Sequence, residues 1–135
     1  MYHRYLSRRT GLAWAAFSNL SHILKNKEVP VCMKRKVFNT CILPVFTYGV
    51  ETSTLTRSSA DKLSVTQRAM ERAMLEISLR DRVRNETIRA RTGVTDVVER
   101  ALSLKWRWAG HVARSEEDKW TKRLLCSSCI LYDCT

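Results

Sequence analysis

Apolar side chains recur at helical spacing along most of this chain. Ala13, Phe17, Leu20 and Leu24 step by four, three and four residues, which sets them on one face and predicts a first helix from about Gly11 to Leu24. The polar run Lys25-Asn26-Lys27-Glu28 and then Pro30 end it, because the residue before a proline is pushed out of the α region. From Met33 to Val50 the spacing returns through Val37, Cys41 and Tyr48 with Pro44 inside, so a helix that breaks or kinks near Pro44 is expected. Ser58 or Ser59 can cap a third helix that turns Leu63, Met70, Met74 and Ile77 inward. Its other face carries Arg68, Glu71, Arg72 and Glu76, a near-balanced set that reads as a solvated surface.

A short fourth helix over about Asn85 to Arg91 leads to Gly93, which suits a helix C′ position. Asp96, with Glu99 three residues on, fits a capping box for a fifth helix ending near Arg114. Its stripe is Val97, Ala101, Leu104, Trp108 and Val112. Alternation with period two is only weak, around Thr52 to Leu55, and neither an internal repeat nor a low-complexity tract is visible. The expected fold is all-α, about five helices followed by a disordered, Cys-containing tail.

Composition agrees and adds charge. Four Gly and two Pro in 135 residues are too few for a many-turned β sandwich, and 44% hydrophobic residues suffice for one core. The 24 Lys and Arg against 13 Asp and Glu leave +11, which favours a polyanionic partner. Residues 1–50 hold 8 basic and 1 acidic side chains, 51–100 hold 10 and 8, and 101–135 hold 6 and 4. The longest apolar runs fall far short of the about 20 residues a membrane span needs. Five cysteines argue against a closed disulfide framework, and with no signal-peptide pattern the expected compartment is intracellular and reducing.

Catalytic signatures are missing. Two-metal phosphoryl or nucleotidyl transfer needs clustered carboxylates, and here the aspartates lie singly apart from Glu116-Glu117-Asp118, read as a solvated run. No Gly-x-Ser-x-Gly elbow, P-loop or dinucleotide fingerprint occurs. Cys126, Cys129 and Cys134 have three of the four ligands of a zinc knuckle, and without a fourth they read as free thiols. Neither a catalytic residue, a metal site nor a cofactor is therefore expected.

Basic clusters supply the candidate binding residues. Lys34, Arg35 and Lys36 have no acidic neighbour within five residues, so solvent or phosphate is their expected partner. Five arginines crowd residues 79–91; Arg84, Arg89 and Arg91 are candidates for phosphate, whereas Arg80 and Arg82 could equally pair between helices. Lys105, Arg107 and Arg114 complete the set. Trp108 is assigned to the core, Trp106 and Trp120 are left open as base-stacking groups, and His111 is read as a hydrogen-bonded residue in a helix seam ahead of a phosphate or base contact.

Five ordered strings carry a family resemblance. They are Val37-Phe38-Asn39; Ile42-Leu43-Pro44-Val45-Phe46-Thr47-Tyr48-Gly49-Val50-Glu51-Thr52; Gln67-Arg68-Ala69-Met70-Glu71-Arg72; Ile77-Ser78-Leu79-Arg80-Asp81-Arg82; and Leu104-Lys105-Trp106-Arg107-Trp108-Ala109-Gly110-His111-Val112-Ala113-Arg114. In that order, over about residues 8 to 123, the chain resembles the segment after the catalytic domain in reverse transcriptases of non-LTR, LINE-like retrotransposons, especially the RTE-like kind. The resemblance implies a helical, thumb-like bundle over residues 8–123, a thumb and post-thumb region that grips template RNA with its primer or growing DNA strand, and leaves 124–135 as an unrelated tail. The family's catalytic palm lies upstream of such a segment, so RNA or an RNA/DNA hybrid is the implied partner and polymerase activity is not expected of this chain by itself. The chain has Ser53 where the family usually has Trp, and Glu76 where Gly is usual. Two other readings stand beside this one: a helix-turn-helix-like DNA-binding module made by helices four and five, which the apolar Val94, Val97 and Val98 at the start of helix five oppose, and a basic helical remnant with no function.

Overall fold

The first helix begins well before its apolar stripe is dense enough to read. In the computed structural model, which describes residues 2–115 and 123, α1 spans Tyr2–Asn19 and a break at Leu20 leads into α2, Ser21–Leu24. Leu6 is buried seven residues ahead of Ala13, one step of two turns along the face that Phe17 and Leu24 continue. The intervening Arg8, Arg9 and Thr10 hid that step from the sequence pattern.

Pro30 then sits at the N-cap of α3, Val31–Val37, where its missing N–H is no loss. The chain continues through a π turn, Phe38–Ile42, into α4, Leu43–Thr47. Leu43 donates to the carbonyl of Phe38, five residues back, and the widened turn precedes Pro44 directly. An ordinary α turn would drive the proline ring against the carbonyl four residues earlier, so the irregularity falls where proline predicts it. The extra residue rotates the helix by about 100°. The buried side chains are consequently Phe38, Ile42, Leu43, Phe46 and Thr47; Cys41 and Tyr48, assigned inward from the spacing, are exposed.

The longest helix, α5, spans Arg57–Leu75 and is capped by Thr56, two residues before the earlier of the two serines expected to do so. Thr56 Oγ1 accepts from the Ser59 N–H at 3.3 Å, and Ser59 Oγ accepts from the Thr56 N–H at 2.9 Å, a reciprocal box made by a threonine and a serine. At its other end Glu76 takes a left-handed conformation (φ 55°), with Glu76 N–H on Ala73 O and Ile77 N–H on Arg72 O. Glycine is the residue such a position favours, which gives the retroelement pattern's Gly there a physical reason. The exposed Lys27–Glu76 pair (3.1 Å) adds little. Glu76→Gly is therefore expected to leave stability unchanged or raise it by up to about 1 kcal/mol, read as the urea midpoint; a loss of more than that amount would contradict the assignment.

A 3-10 turn at Leu79–Asp81 leads to α6, Asn85–Thr92, closed by Gly93 at φ 61°. The final helix, α7, spans Val97–Arg114, and Asp96 Oδ1 caps it by accepting from the N–H groups of Val98 and Glu99. The five expected helical stretches are all present, two of them interrupted, and the described residues contain no strand. α1 packs on α4 and α5, α5 on α6 and α7, α4 on α7, and α3 on α6. Phe17, Leu24, Phe38, Ile42, Met70, Met74 and Val97 meet in one core.

Two face assignments are corrected by this packing. Glu71 is fully buried and Arg68 nearly so, because α6 and the α6–α7 turn cover the side of α5 that looked solvated. On α7 the buried stripe is Val97, Ala101, Ala109 and Val112; Trp108 is only half-buried and its indole borders a surface groove. The Cys-containing tail, Trp120 and Glu116-Glu117-Asp118 lie outside the described residues.

Candidate nucleic-acid interface

Of the basic residues singled out from the sequence, Lys34 is spent inside the fold. It lies four residues ahead of Phe38 on the inward face of α3, and its buried Nζ donates to Met74 O at 3.1 Å, holding a carbonyl in the last turn of α5. The expectation that solvent or phosphate is its partner is overturned by that contact. Arg89 hydrogen-bonds Asp96, and Lys105 donates to Ser53 O, so both are committed to tertiary contacts. Arg35 is exposed but lies over Gly93, where a Cβ would stand 2.5 Å from its Nη1. Lys36, Arg84 and Arg91 are exposed, as are Arg80 and Arg82, which pair with no carboxylate of the described residues.

The network that absorbs Arg89 ties α5 to both later helices. Gln67, fully buried, donates to Thr95 O at 2.8 Å and accepts from the Val97 N–H at 2.7 Å. Glu71 Oε2 accepts from Thr92 Oγ1 at 3.0 Å, Arg68 stands 3.7 Å from both Glu71 and Asp96, and Arg72 donates to Val83 O and Asn85 Oδ1. Burial pushes the Glu71 carboxyl above the ordinary glutamate range against the pull of Thr92 and Arg68, and burial, with Arg89 nearby, lowers Arg68. These are structural charges.

Exposed charge collects instead along the outer side of α7. Arg100, Leu104, Arg107, Trp108, His111 and Arg114 recur at four, three, one, three and three residues, a single stripe, and they border two adjoining grooves closed on the other side by the turn through Tyr48, Gly49, Glu51 and Thr52. The groove at the C-terminal end of α7 has a volume of about 540 Å³. Arg100, Arg107 and Arg114 are exposed and pair with no carboxylate of the described residues. At 1.5 Å per residue they repeat about every 10 Å along the helix. His111 is exposed on this stripe and not in a helix seam, so that expectation is also corrected. Trp106, 68% exposed, is on the opposite side.

The facing turn is fixed by glycine chemistry. Tyr48 (φ −61°, ψ 122°) and Gly49 (φ 72°) form the corner of a type II turn closed by Val50 N–H on Thr47 O at 3.2 Å. A Cβ on Gly49 would stand 3.0 Å from Tyr5 Oη, which itself donates to Tyr48 O. The turn leaves the Tyr48 ring 68% exposed, with the Arg9 guanidinium 4.6 Å from its centroid.

Sequence reasoning found Arg107 and Arg114 but missed Arg100, Tyr48 and Glu51. The spacing of seven between the three arginines was available; the turn that brings residues 48–52 opposite α7 was not. At the start of α7, Val97 is buried and Val94 and Val98 pack on the core. Three of the residues at that end therefore serve packing, which leaves Glu99 and Arg100 as the exposed polar side chains of the turn.

Among the described residues no group of three or more metal-binding side chains occurs, and no helix is long and apolar enough to cross a membrane. An all-α basic domain is thus what fold and surface define. No protein-family model matches the chain, and no solved structure matches it. Over 123 residues, 86% of this chain, it is 32% identical to a transposon-derived protein of Caenorhabditis elegans. The match spans 43% of that protein, so the chain corresponds to less than half of its relative's length. The similarity agrees with the retroelement resemblance at the level of a transposon origin.

Proposed function

We propose that this chain is a thumb-like fragment of a retrotransposon RNA-directed DNA polymerase that binds the backbone of RNA or an RNA/DNA hybrid through the α7 stripe, without polymerase chemistry of its own. The observation that carries the binding is the set of three exposed arginines, Arg100, Arg107 and Arg114, on one side of one helix, none paired with a carboxylate of the described residues. Guanidinium forks match phosphate oxygens, and other arginines of this fold, Arg68 and Arg89, are instead paired with carboxylates. The five sequence strings support the reverse-transcriptase reading, and the transposon-derived relative supports the coarser transposon origin.

Binding of this kind releases counterions, so affinity is expected to fall steeply between about 50 and 200 mM salt. The triple change Arg100→Gln, Arg107→Gln and Arg114→Gln should flatten the slope of log affinity against log salt by about 2 to 3, with circular dichroism unchanged. Anisotropy titrations at several salt concentrations measure it. A triple variant that binds with the wild-type slope would reject the α7 stripe as the interface.

A further inference from the structure

We infer, resting on the backbone-binding reading above, that the α7 groove receives a single, unpaired strand with its bases turned inward and one base stacked on Tyr48, in preference to a duplex. Three features of the groove point the same way.

The first is Tyr48 itself. A tyrosine at the corner of a tight turn with two-thirds of its surface in solvent gains nothing from hydrophobic burial. Its ring is held by Arg9, whose guanidinium lies 4.6 Å from the Tyr48 centroid and 5.3 Å from that of Tyr5, so the two tyrosines and the arginine form one stacked column anchored in α1. One face of the ring is backed by a cation, and the ring lines the groove beside Gly49, Glu51, Arg100 and Leu104. Such a platform suits a nucleobase, because every base offers a π face and stacking needs no particular sequence.

The second is Glu51. It is half-buried, borders both parts of the groove, and pairs with no cation of the described residues. A carboxylate there repels a phosphate backbone running along the groove floor. It accepts hydrogen bonds from the exocyclic amines of cytosine, adenine or guanine, which in a duplex offer one hydrogen, at the groove floor, and in an unpaired strand with its bases turned inward offer both. The third is the position of the arginines along the outer helix, with the half-buried Trp108 as a second flat surface among them. Phosphates on Arg100, Arg107 and Arg114 with bases toward Tyr48, Glu51 and Trp108 give the cations, the carboxylate and the two rings each a matching partner. A duplex presents sugar-phosphate to both walls, leaving Glu51 facing negative charge and Tyr48 without a base.

The test uses the full chain and four labelled probes of roughly twelve nucleotides: oligo-dC, oligo-rC, an abasic deoxyribose-phosphate strand of equal charge, and a hairpin duplex with the same number of phosphates. At fixed salt the base-bearing strands are expected to bind about tenfold or more tighter than the abasic strand and the hairpin. A preference shown by only one of the two base-bearing strands names RNA or DNA as the occupant. Tyr48→Leu should bring oligo-dC down to the abasic level, whereas Tyr48→Phe, which keeps the ring, should retain the preference; thermal melts confirm that both variants are folded. Equal binding of oligo-dC and the abasic strand, a hairpin bound as tightly as the single strands, or a Tyr48→Leu variant that keeps the full preference each overturns the single-strand inference. If in those cases the triple arginine change still flattens the salt slope, the backbone reading survives and only the base-inward strand is lost.

Discussion

Replacing Glu71 by alanine is expected to destabilise the fold by about 3–5 kcal/mol, the range for removing one member of a buried charge pair. Thr92 loses an acceptor, Arg68 keeps only Asp96, and a void opens where α5 meets α6. A small domain holds only about 5–15 kcal/mol in total, so much of the stability is at stake. Glu71→Gln tests the electrostatic part separately. Burial raises the Glu71 carboxyl above its ordinary value, so the folded state binds a proton more tightly than the unfolded chain. Its favourable contribution is complete below the unfolded value of about 4.3 and is lost as pH climbs through the folded one. Wild type should therefore weaken relative to Glu71→Gln as pH rises from about 4 toward neutrality, while the amide still meets Thr92. Urea unfolding of both proteins across that range decides the sign; a wild type that strengthens relative to the variant would show that Arg68 outweighs burial.

Gln67→Ala is expected to cost about 3 kcal/mol, although its side chain carries no charge. Gln67 is fully buried and its amide serves the turn into α7 in both directions, through Thr95 O and the Val97 N–H. Truncation leaves the buried Val97 N–H without a partner, at about 1–3 kcal/mol when unrelieved, releases the part-buried Thr95 O, and opens a void in the core side of α5. Gln67→Glu keeps the acceptor for Val97 and loses the donor for Thr95, and it sets a second carboxylate near Glu71. It should rescue less than half of the loss at neutral pH. Chemical denaturation of the two variants checks this; a cost below 1 kcal/mol for alanine would show that water reaches the α6–α7 turn. Binding to nucleic acid at temperatures where each variant is folded should change little, because Gln67 does not border the α7 groove.

Local chemistry was legible in the sequence wherever neighbours along the chain decide the outcome. Gly93 closes α6, Asp96 caps α7, Pro44 marks the irregular turn, and Ala13, Phe17 and Leu24 face inward, each because the determining contacts lie within a few residues. Charge was legible as a sum and illegible as a surface. Lys34 and Lys36 differ by two residues, and only the path of α3 across the end of α5 turns one inward to Met74 O and leaves the other in solvent. Arg68 and Glu71 have the i, i+3 spacing of an ordinary exposed pair, yet the covering α6 makes them a buried one. The groove depends on that long-range packing most of all. Its arginines repeat every seven residues in α7, but Tyr48 and Glu51 join them because the π turn rotates α4 by one residue and Gly49 folds the chain back toward α7. Helical periodicity assigns a residue to a face of its own helix; which other element, or solvent, meets that face is set by tertiary contacts between residues some 50 positions apart, which no local spacing records.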